Sequence, residues 1–88
     1  MTRIAGTAMS NIERFNKYSS VYERGFVDVY NDGKYSITRQ WLIEENGKRV
    51  PFTTVFAVYE DDDGDFPLFG TMKEARTFLT ECVREENR

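Results

Sequence analysis

Five carboxylates stand close together in the second half of the chain, at Glu60, Asp61, Asp62, Asp63 and Asp65. Carboxylate oxygens are ligands that Ca²⁺ prefers in proteins. Aligning Gly64 with the invariant glycine of an EF-hand loop, however, puts Tyr59 and Gly70 at the first and last ligand positions, so the EF-hand pattern fails. Three interpretations stay open: a solvent-exposed hairpin loop, a weak divalent-cation site, or an acidic surface that contacts a basic partner.

The residue types that catalysis and zinc binding most often use are scarce. The sequence has no histidine, which is the commonest general base and zinc ligand. Its one cysteine, Cys82, cannot form an internal disulfide or a structural zinc site, and its place on an apolar helix stripe predicts a small core residue. No serine lies in a nucleophile elbow, and no glycine-rich run forms a phosphate-binding loop. We therefore expect a non-enzymatic protein without a cofactor or a dedicated metal site.

Length and composition indicate a single small domain. The chain has 88 residues, 40% of them hydrophobic and 15% aromatic, which is enough apolar material for one packed core. Its net charge of −3, without a basic cluster, makes nucleic-acid binding unlikely on electrostatic grounds. No apolar run approaches the roughly 20 residues of a membrane span, and the N-terminus lacks the apolar stretch of a signal peptide. We expect a cytoplasmic protein with a flexible N-terminus over residues 1–9 and one domain over residues 10–88.

Two glycine-containing turns organise the middle of the chain. Asn31-Asp32-Gly33 joins a predicted strand at Arg24–Tyr30 to a second strand that runs from Lys34 to Glu45. Asn46-Gly47 then joins the second strand to a third one, over residues 49–60. The sequence therefore predicts an antiparallel meander.

The two turns, considered separately, give the second strand the same inward face. The first turn pairs Val27 with Ile37. The second turn pairs Trp41 with Phe52 and Ile37 with Phe56. It thus extends this face across strands two and three, to include Tyr35, Ile37, Trp41, Ile43, Val50, Phe52, Phe56 and Val58. Pro51 has no N–H group for a ladder, so it marks an edge position or a bulge, and strand three is predicted to be an outer strand of the meander.

Two capping boxes predict where helices begin. Ser10 with Glu13 begins a short helix, and Thr71 with Glu74 begins a longer one. The longer helix carries an apolar stripe wide enough to cover a sheet face, made of Met72, Ala75, Phe78, Leu79, Cys82 and Val83. The predicted fold class is α+β: a three-stranded antiparallel meander packed on a C-terminal α-helix, with a short N-terminal helix. Residues 66–69 form an apolar return segment and a candidate for a short extra strand.

The opposite face of the predicted sheet is more polar. It carries Ser36, Thr38, Gln40, Thr53 and Ala57, with Leu42, Val55 and Tyr59 beside them. One interpretation is an ordinary solvated face. The other is a flat docking surface, in which Leu42, Val55 and Tyr59 supply the apolar centre.

Three short segments around the start of the last helix carry a resemblance: Phe69-Gly70-Thr71, Lys73-Glu74-Ala75 and Phe78-Leu79. With them, residues 24–85 resemble the three-strand-plus-helix DNA-binding modules at the N-terminus of phage integrases, whose layout AP2-type domains share. The resemblance implies DNA contact through an exposed sheet face aided by basic residues. Here the corresponding face carries Lys34 and few other cations.

The composition is similar in style to that of small phage-encoded inhibitors, including anti-CRISPR proteins, which are also short, acidic, aromatic-rich and histidine-free. Such proteins often block a basic nucleic-acid channel with carboxylates. We therefore expect a protein-binding module, in its most specific form a phage-encoded inhibitor of a host nucleic-acid-handling complex, whose partner has a basic surface. The predicted contacts are Tyr59, Leu42, Glu60, Asp61, Asp62, Asp63 and Asp65. The alternative is a small nucleic-acid-binding module that uses the exposed sheet face. The sequence does not indicate an oligomeric state.

Overall fold

The computed structural model describes residues 9–60 and 66–86, which form an antiparallel sheet with a helix on each face. The elements, in chain order, are α1 Asn11–Tyr18, β1 Glu23–Asn31, β2 Tyr35–Ile43, β3 Val55–Glu60, β4 Leu68–Phe69 and α2 Met72–Glu86. The strand order is β1-β2-β3-β4. The predicted α+β class is confirmed, but the described sheet has four strands and not three, because the apolar return segment pairs with β3. Strand β3 is consequently an inner strand, and the prediction that it is an outer one is wrong.

Both helices begin where their capping boxes predict. The Ser10 hydroxyl accepts a hydrogen bond from the Glu13 N–H group (3.1 Å), and the Thr71 hydroxyl accepts one from the Glu74 N–H group (3.1 Å). Thr71 also donates to the Glu74 carboxylate (2.9 Å). These bonds satisfy N–H groups that the first turn of a helix leaves without partners.

Helix α2 covers only part of the predicted inward face, which is called the α2 face below. Tyr35 and Ile37 of β2 and Val58 of β3 are buried there against Ala75 and Leu79 of the helix. Half-buried apolar side chains, including that of Cys82, surround this cluster, so the cysteine that was predicted to be a small core residue packs against the core without being fully buried.

Trp41 lies on the α2 face but outside this core, so the prediction that it packs beneath the C-terminal helix is wrong. It is half-buried, and its indole crosses Gly25 of β1: a Cβ atom at Gly25 would lie 2.5 Å from Trp41 Nε1. The Arg49 guanidinium carbon stands 4.0 Å from the centre of the Trp41 ring, a cation–π arrangement. Trp41 therefore packs sideways over the edge strand.

The first hairpin has a different register from the predicted one. Val27 pairs with Arg39 and not with Ile37, and a bulge between Asp28 and Tyr30 inserts one residue into β1. The cause lies in the turn, where the Asp32 carboxylate accepts hydrogen bonds from the backbone N–H groups of the next residues. Since the shift at Val27 is two residues, this side chain keeps its predicted face.

The second hairpin leaves the sheet soon after its turn. Ile43 pairs with Arg49, but the next regular pairing begins only at Val55. Pro51 has no N–H group, and Phe52 adopts a left-handed backbone conformation with φ of 60°. Residues 50–54 therefore loop out, the Phe52 side chain is 72% exposed, and the predicted pairing of Trp41 with Phe52 is wrong.

The second sheet face is covered by α1 and is called the α1 face below. Phe15 of α1 packs against Leu42 and Val55, which are fully buried, and Ala57 beside them is also inaccessible. The prediction of an exposed sheet face with Leu42 at its apolar centre is wrong, because the short helix lies on that centre.

The C-terminal end of α2 is tied to the first hairpin. The Glu86 carboxylate forms an ion pair with Lys34 and accepts a hydrogen bond of 2.6 Å from the Tyr35 hydroxyl. The hydrogen bonds from Lys34 and Tyr35 lower the pKa of Glu86 below its ordinary value of 4.5, and they raise the pKa of both donors. Within the described residues, neither helix is long and apolar enough to cross a membrane.

We expect this tie to be lost in acid. Since folding lowers the pKa of Glu86, its contribution to stability is present above pH 4.5 and disappears as the pH falls through the lowered value. The protection factors of the amides at residues 83–86, which are exchange rates corrected for the intrinsic effect of pH, should therefore fall below that pH. In Glu86→Gln the exchange should be fast already at neutral pH, and the pKa of Tyr35 should fall towards 10.0. Glu81→Gln, which removes an exposed carboxylate on the same helix, is the control. Equal exchange rates in Glu86→Gln and the parent protein would contradict the expectation.

Candidate functional site

A cleft lies on the α1 face, beside the area that α1 covers. It has a volume of about 670 Å³, within the range of about 300–1,000 Å³ that is usual for ligand pockets. Four of its lining residues are aromatic and come from separate segments: Tyr22, Phe26, Tyr59 and Phe66. The cleft is called the aromatic cleft below.

The floor of the aromatic cleft is polar and comes from β2. Thr38 and Gln40 are two residues apart on one strand, so their side chains share a face, and both are buried. The Gln40 amide nitrogen donates to the Thr38 hydroxyl (3.0 Å) and to the Tyr59 hydroxyl (2.8 Å). These bonds satisfy a buried amide and hold the Tyr59 ring over the floor.

One wall consists of two aromatic rings in contact. Tyr59 stands near the end of β3, and Phe66 lies just before β4, where the chain returns to the sheet. Their ring centres are 4.4 Å apart, at an angle of 38°. A tilted pair at this distance is a favourable aromatic arrangement. The contact therefore fixes both ends of the intervening segment at the cleft.

The opposite wall follows from the entry into β1. Two backbone hydrogen bonds to the Tyr18 carbonyl, from Val21 and from Tyr22, turn the chain at the end of α1. The Tyr22 ring then lies 6.3 Å from that of Tyr18. Four residues later, Phe26 stands directly opposite Gln40 in the β1–β2 ladder, with 71% of its surface exposed.

The acidic run begins and ends at the aromatic cleft. Glu60 is exposed at the end of β3, next to Tyr59. The other predicted contact carboxylates, Asp61, Asp62, Asp63 and Asp65, lie outside the described residues. Tyr59 and Phe66, which flank this run in the sequence, touch one another at the rim of the cleft. Residues 60–65 are called the acidic segment below.

The site thus differs from the predicted one in composition. Tyr59 and Glu60 lie where a partner can reach them, whereas Leu42 is buried under α1. Tyr22, Phe26 and Phe66 of the cleft were not among the contacts predicted from the sequence. The available signal was Phe26, because a large aromatic residue at an outward position of a predicted edge strand has no core to enter.

The chemistry that the aromatic cleft offers is contact and hydrogen bonding. Aromatic faces bind apolar groups, and they also bind guanidinium or ammonium groups by cation–π attraction. Among the described residues, no group of three acidic, cysteine or histidine side chains is arranged to hold a metal ion. Comparison with protein families, curated proteins and solved structures found no match to this chain.

Proposed function

We propose that the protein is a non-enzymatic protein-binding module whose aromatic cleft receives a basic segment of its partner. The observation that carries the proposal is the contact between Tyr59 and Phe66, which line the cleft and also flank the acidic segment. The Tyr59 and Phe66 rings thus lie beside the described carboxylate of Glu60, and in the sequence they flank the other four carboxylates. Arginine fits both, because its guanidinium group stacks on aromatic rings and pairs with carboxylates.

The charge of the acidic segment favours a partner whose surface carries further basic residues near the arginine or lysine that enters the cleft. Five carboxylates close together attract a positively charged surface before contact and accelerate association. An inhibitor of a nucleic-acid-handling protein is the most specific form of this function. In that form the acidic segment occupies the basic surface on which the nucleic acid would otherwise lie.

Short peptides provide a direct test. A peptide with two arginines beside a leucine should shift the backbone amide NMR signals of Tyr22, Phe26, Tyr59 and Phe66, whereas the peptide with glutamate in place of arginine should not. Asp61→Asn/Asp62→Asn/Asp63→Asn should weaken binding about tenfold, because exposed ion pairs each contribute about 0.2–1 kcal/mol. Raising the salt from about 0.05 to about 0.5 M should weaken binding of the parent protein in the same way.

Two matched controls separate the site from general charge and hydrophobicity. Glu45→Gln/Glu81→Gln/Glu85→Gln makes the same change in net charge at other exposed positions and should leave the affinity unchanged. Phe66→Ala should weaken binding, whereas Phe52→Ala, at an exposed phenylalanine outside the cleft, should not. Equal binding of both peptides, or signal shifts confined to another surface, would overturn the proposal. A gel shift of duplex or single-stranded DNA by the peptide-free protein would favour the nucleic-acid alternative.

A further inference from the structure

Strand β1 is a long edge strand with apolar side chains on both of its faces. Within the described sheet it pairs only with β2, so its outer edge presents unpaired N–H and C=O groups over a nine-residue strand. Phe26 on the α1 face is 71% exposed, and Val27 on the α2 face is 41% exposed. Natural proteins usually shorten or cover an edge of this kind unless it pairs.

The strand is regular only up to its bulge. Pairing with β2 is continuous from Glu23 to Asp28, and the bulge between Asp28 and Tyr30 then interrupts it. In an antiparallel pair, residues that lie opposite one another have their side chains on the same face of the sheet. Two copies related by a two-fold axis meet this condition only when one residue of β1 lies opposite the same residue of the second copy. Within the regular stretch, the candidates for this central residue are Gly25, Phe26 and Val27.

Charge complementarity selects Phe26 as the centre. In this register Arg24 lies opposite Asp28 of the second copy, and the symmetry repeats this pair on the other side of the axis. The two phenylalanines face one another between the two ion pairs. With Gly25 at the centre, Arg24 would face a phenylalanine, and with Val27 at the centre, Asp28 would face one. Arg24 and Asp28 are both exposed in the single chain, so they are free to pair.

The α2 face of β1 fits the same register. Gly25 would lie opposite Val27 of the second copy, and Gly25 has no side chain to obstruct the approach. The Trp41 indole lies over Gly25, because a Cβ atom there would be 2.6 Å from Trp41 Cε2. Val27 of the second copy would therefore pack beside a half-buried tryptophan that belongs to neither of the two core clusters.

We propose that the outer edge of β1 is a homodimer interface, in which two copies pair antiparallel about Phe26 to form one continuous sheet. Once the two β1 edges are paired, the joined sheet has only its two β4 edges left, each of two residues, so the assembly stops at two copies. The two aromatic cleft openings, each bordered by one Phe26, then lie on the same face of the joined sheet on either side of the axis. A dimer of this kind would bind its partner at two sites.

Sedimentation velocity over a protein concentration series tests the interface without any partner or peptide. The parent protein should form dimers with a Kd on the order of 10–100 µM, as expected for a small interface. Arg24→Asp places like charges opposite one another at both ends of the pairing and should weaken dimerisation at least tenfold, and Asp28→Arg should do the same. The double variant Arg24→Asp/Asp28→Arg restores both ion pairs with their signs exchanged and should dimerise like the parent protein.

Lys73→Asp is the control, because it reverses one exposed charge on α2, away from β1. Circular dichroism should show that all four variants are folded. A monomer at about 1 mM parent protein, where a Kd of 10–100 µM requires mostly dimer, would overturn the proposal. The proposal would equally be overturned if both single charge reversals left the Kd of the dimer unchanged, or if the double variant stayed monomeric. Assemblies larger than a dimer at high concentration would also overturn it. Failure here leaves the proposed binding function intact, since one aromatic cleft belongs to one chain.

Discussion

Leu42→Ala is expected to lower the free energy of unfolding by about 2–5 kcal/mol. Leu42 of β2 is fully buried beneath α1, where it forms one cluster with Phe15 and Val55. Removing its side chain beyond Cβ leaves a cavity that a helix of eight residues cannot fill without moving. A domain of this size is stable by roughly 5–10 kcal/mol, so the loss is a large share of the total.

Urea unfolding followed by Trp41 fluorescence measures this loss. Val21→Ala is the control, because Val21 is 70% exposed and its truncation should change stability by less than about 0.5 kcal/mol. Phe15→Ala/Leu42→Ala should cost less than the sum of the two single variants, since both side chains belong to one cluster. A loss below about 1 kcal/mol in Leu42→Ala would mean that α1 does not pack on the sheet.

Thr53→Val is expected to lower the free energy of unfolding by about 2–4 kcal/mol, although it hardly changes the volume of the side chain. The fully buried Thr53 hydroxyl accepts a hydrogen bond from the Leu42 N–H group (3.1 Å) and donates one to the Val50 carbonyl (2.8 Å). It thus replaces the strand partner that Leu42 loses where residues 50–54 loop out. Valine would leave both backbone groups without this partner in the interior.

Thr53→Ser separates the hydrogen bonds from the methyl group. Serine keeps the hydroxyl, so it should retain most of the stability that Thr53→Val loses, and urea unfolding would show the difference. Thr54→Val is a matched control at a neighbouring position, where the backbone carbonyl, and not the side chain, accepts a hydrogen bond from Asn11. Equal losses in Thr53→Ser and Thr53→Val would show that the hydroxyl is not what stabilises this loop.

The stability of α1 and of residues 50–54 also affects binding at the aromatic cleft. Leu42 and Thr53 hold α1 and the 50–54 loop against the sheet, and α1 leads through Tyr22 into the aromatic cleft. Arg14 of α1 further donates a hydrogen bond of 3.0 Å to the Phe52 carbonyl. Destabilised variants should therefore bind the arginine peptide more weakly in proportion to their unfolded fraction, whereas Phe66→Ala should weaken binding in a folded protein.

Some of the fold could be predicted because it depends on neighbours in the sequence. The capping boxes at Ser10 and Thr71 act over three residues, and both helices begin where they predict. The alternation of apolar residues in β2 determined that Tyr35 and Ile37 share a face. That result survived register errors of two residues at Val27 and between β2 and β3, because an even shift preserves the face.

The tertiary structure alone decided which helix covers which part of the sheet. The alternation in β2 marks two faces but cannot say that α1 reaches Leu42 or that α2 stops short of Trp41. Nor does it reveal the aromatic cleft, whose four rings come from segments up to 44 residues apart, from Tyr22 to Phe66. The physical reason is that caps, turns and strand periodicity act between near neighbours. The choice among apolar surfaces of similar hydrophobicity depends instead on how distant segments fill the same space.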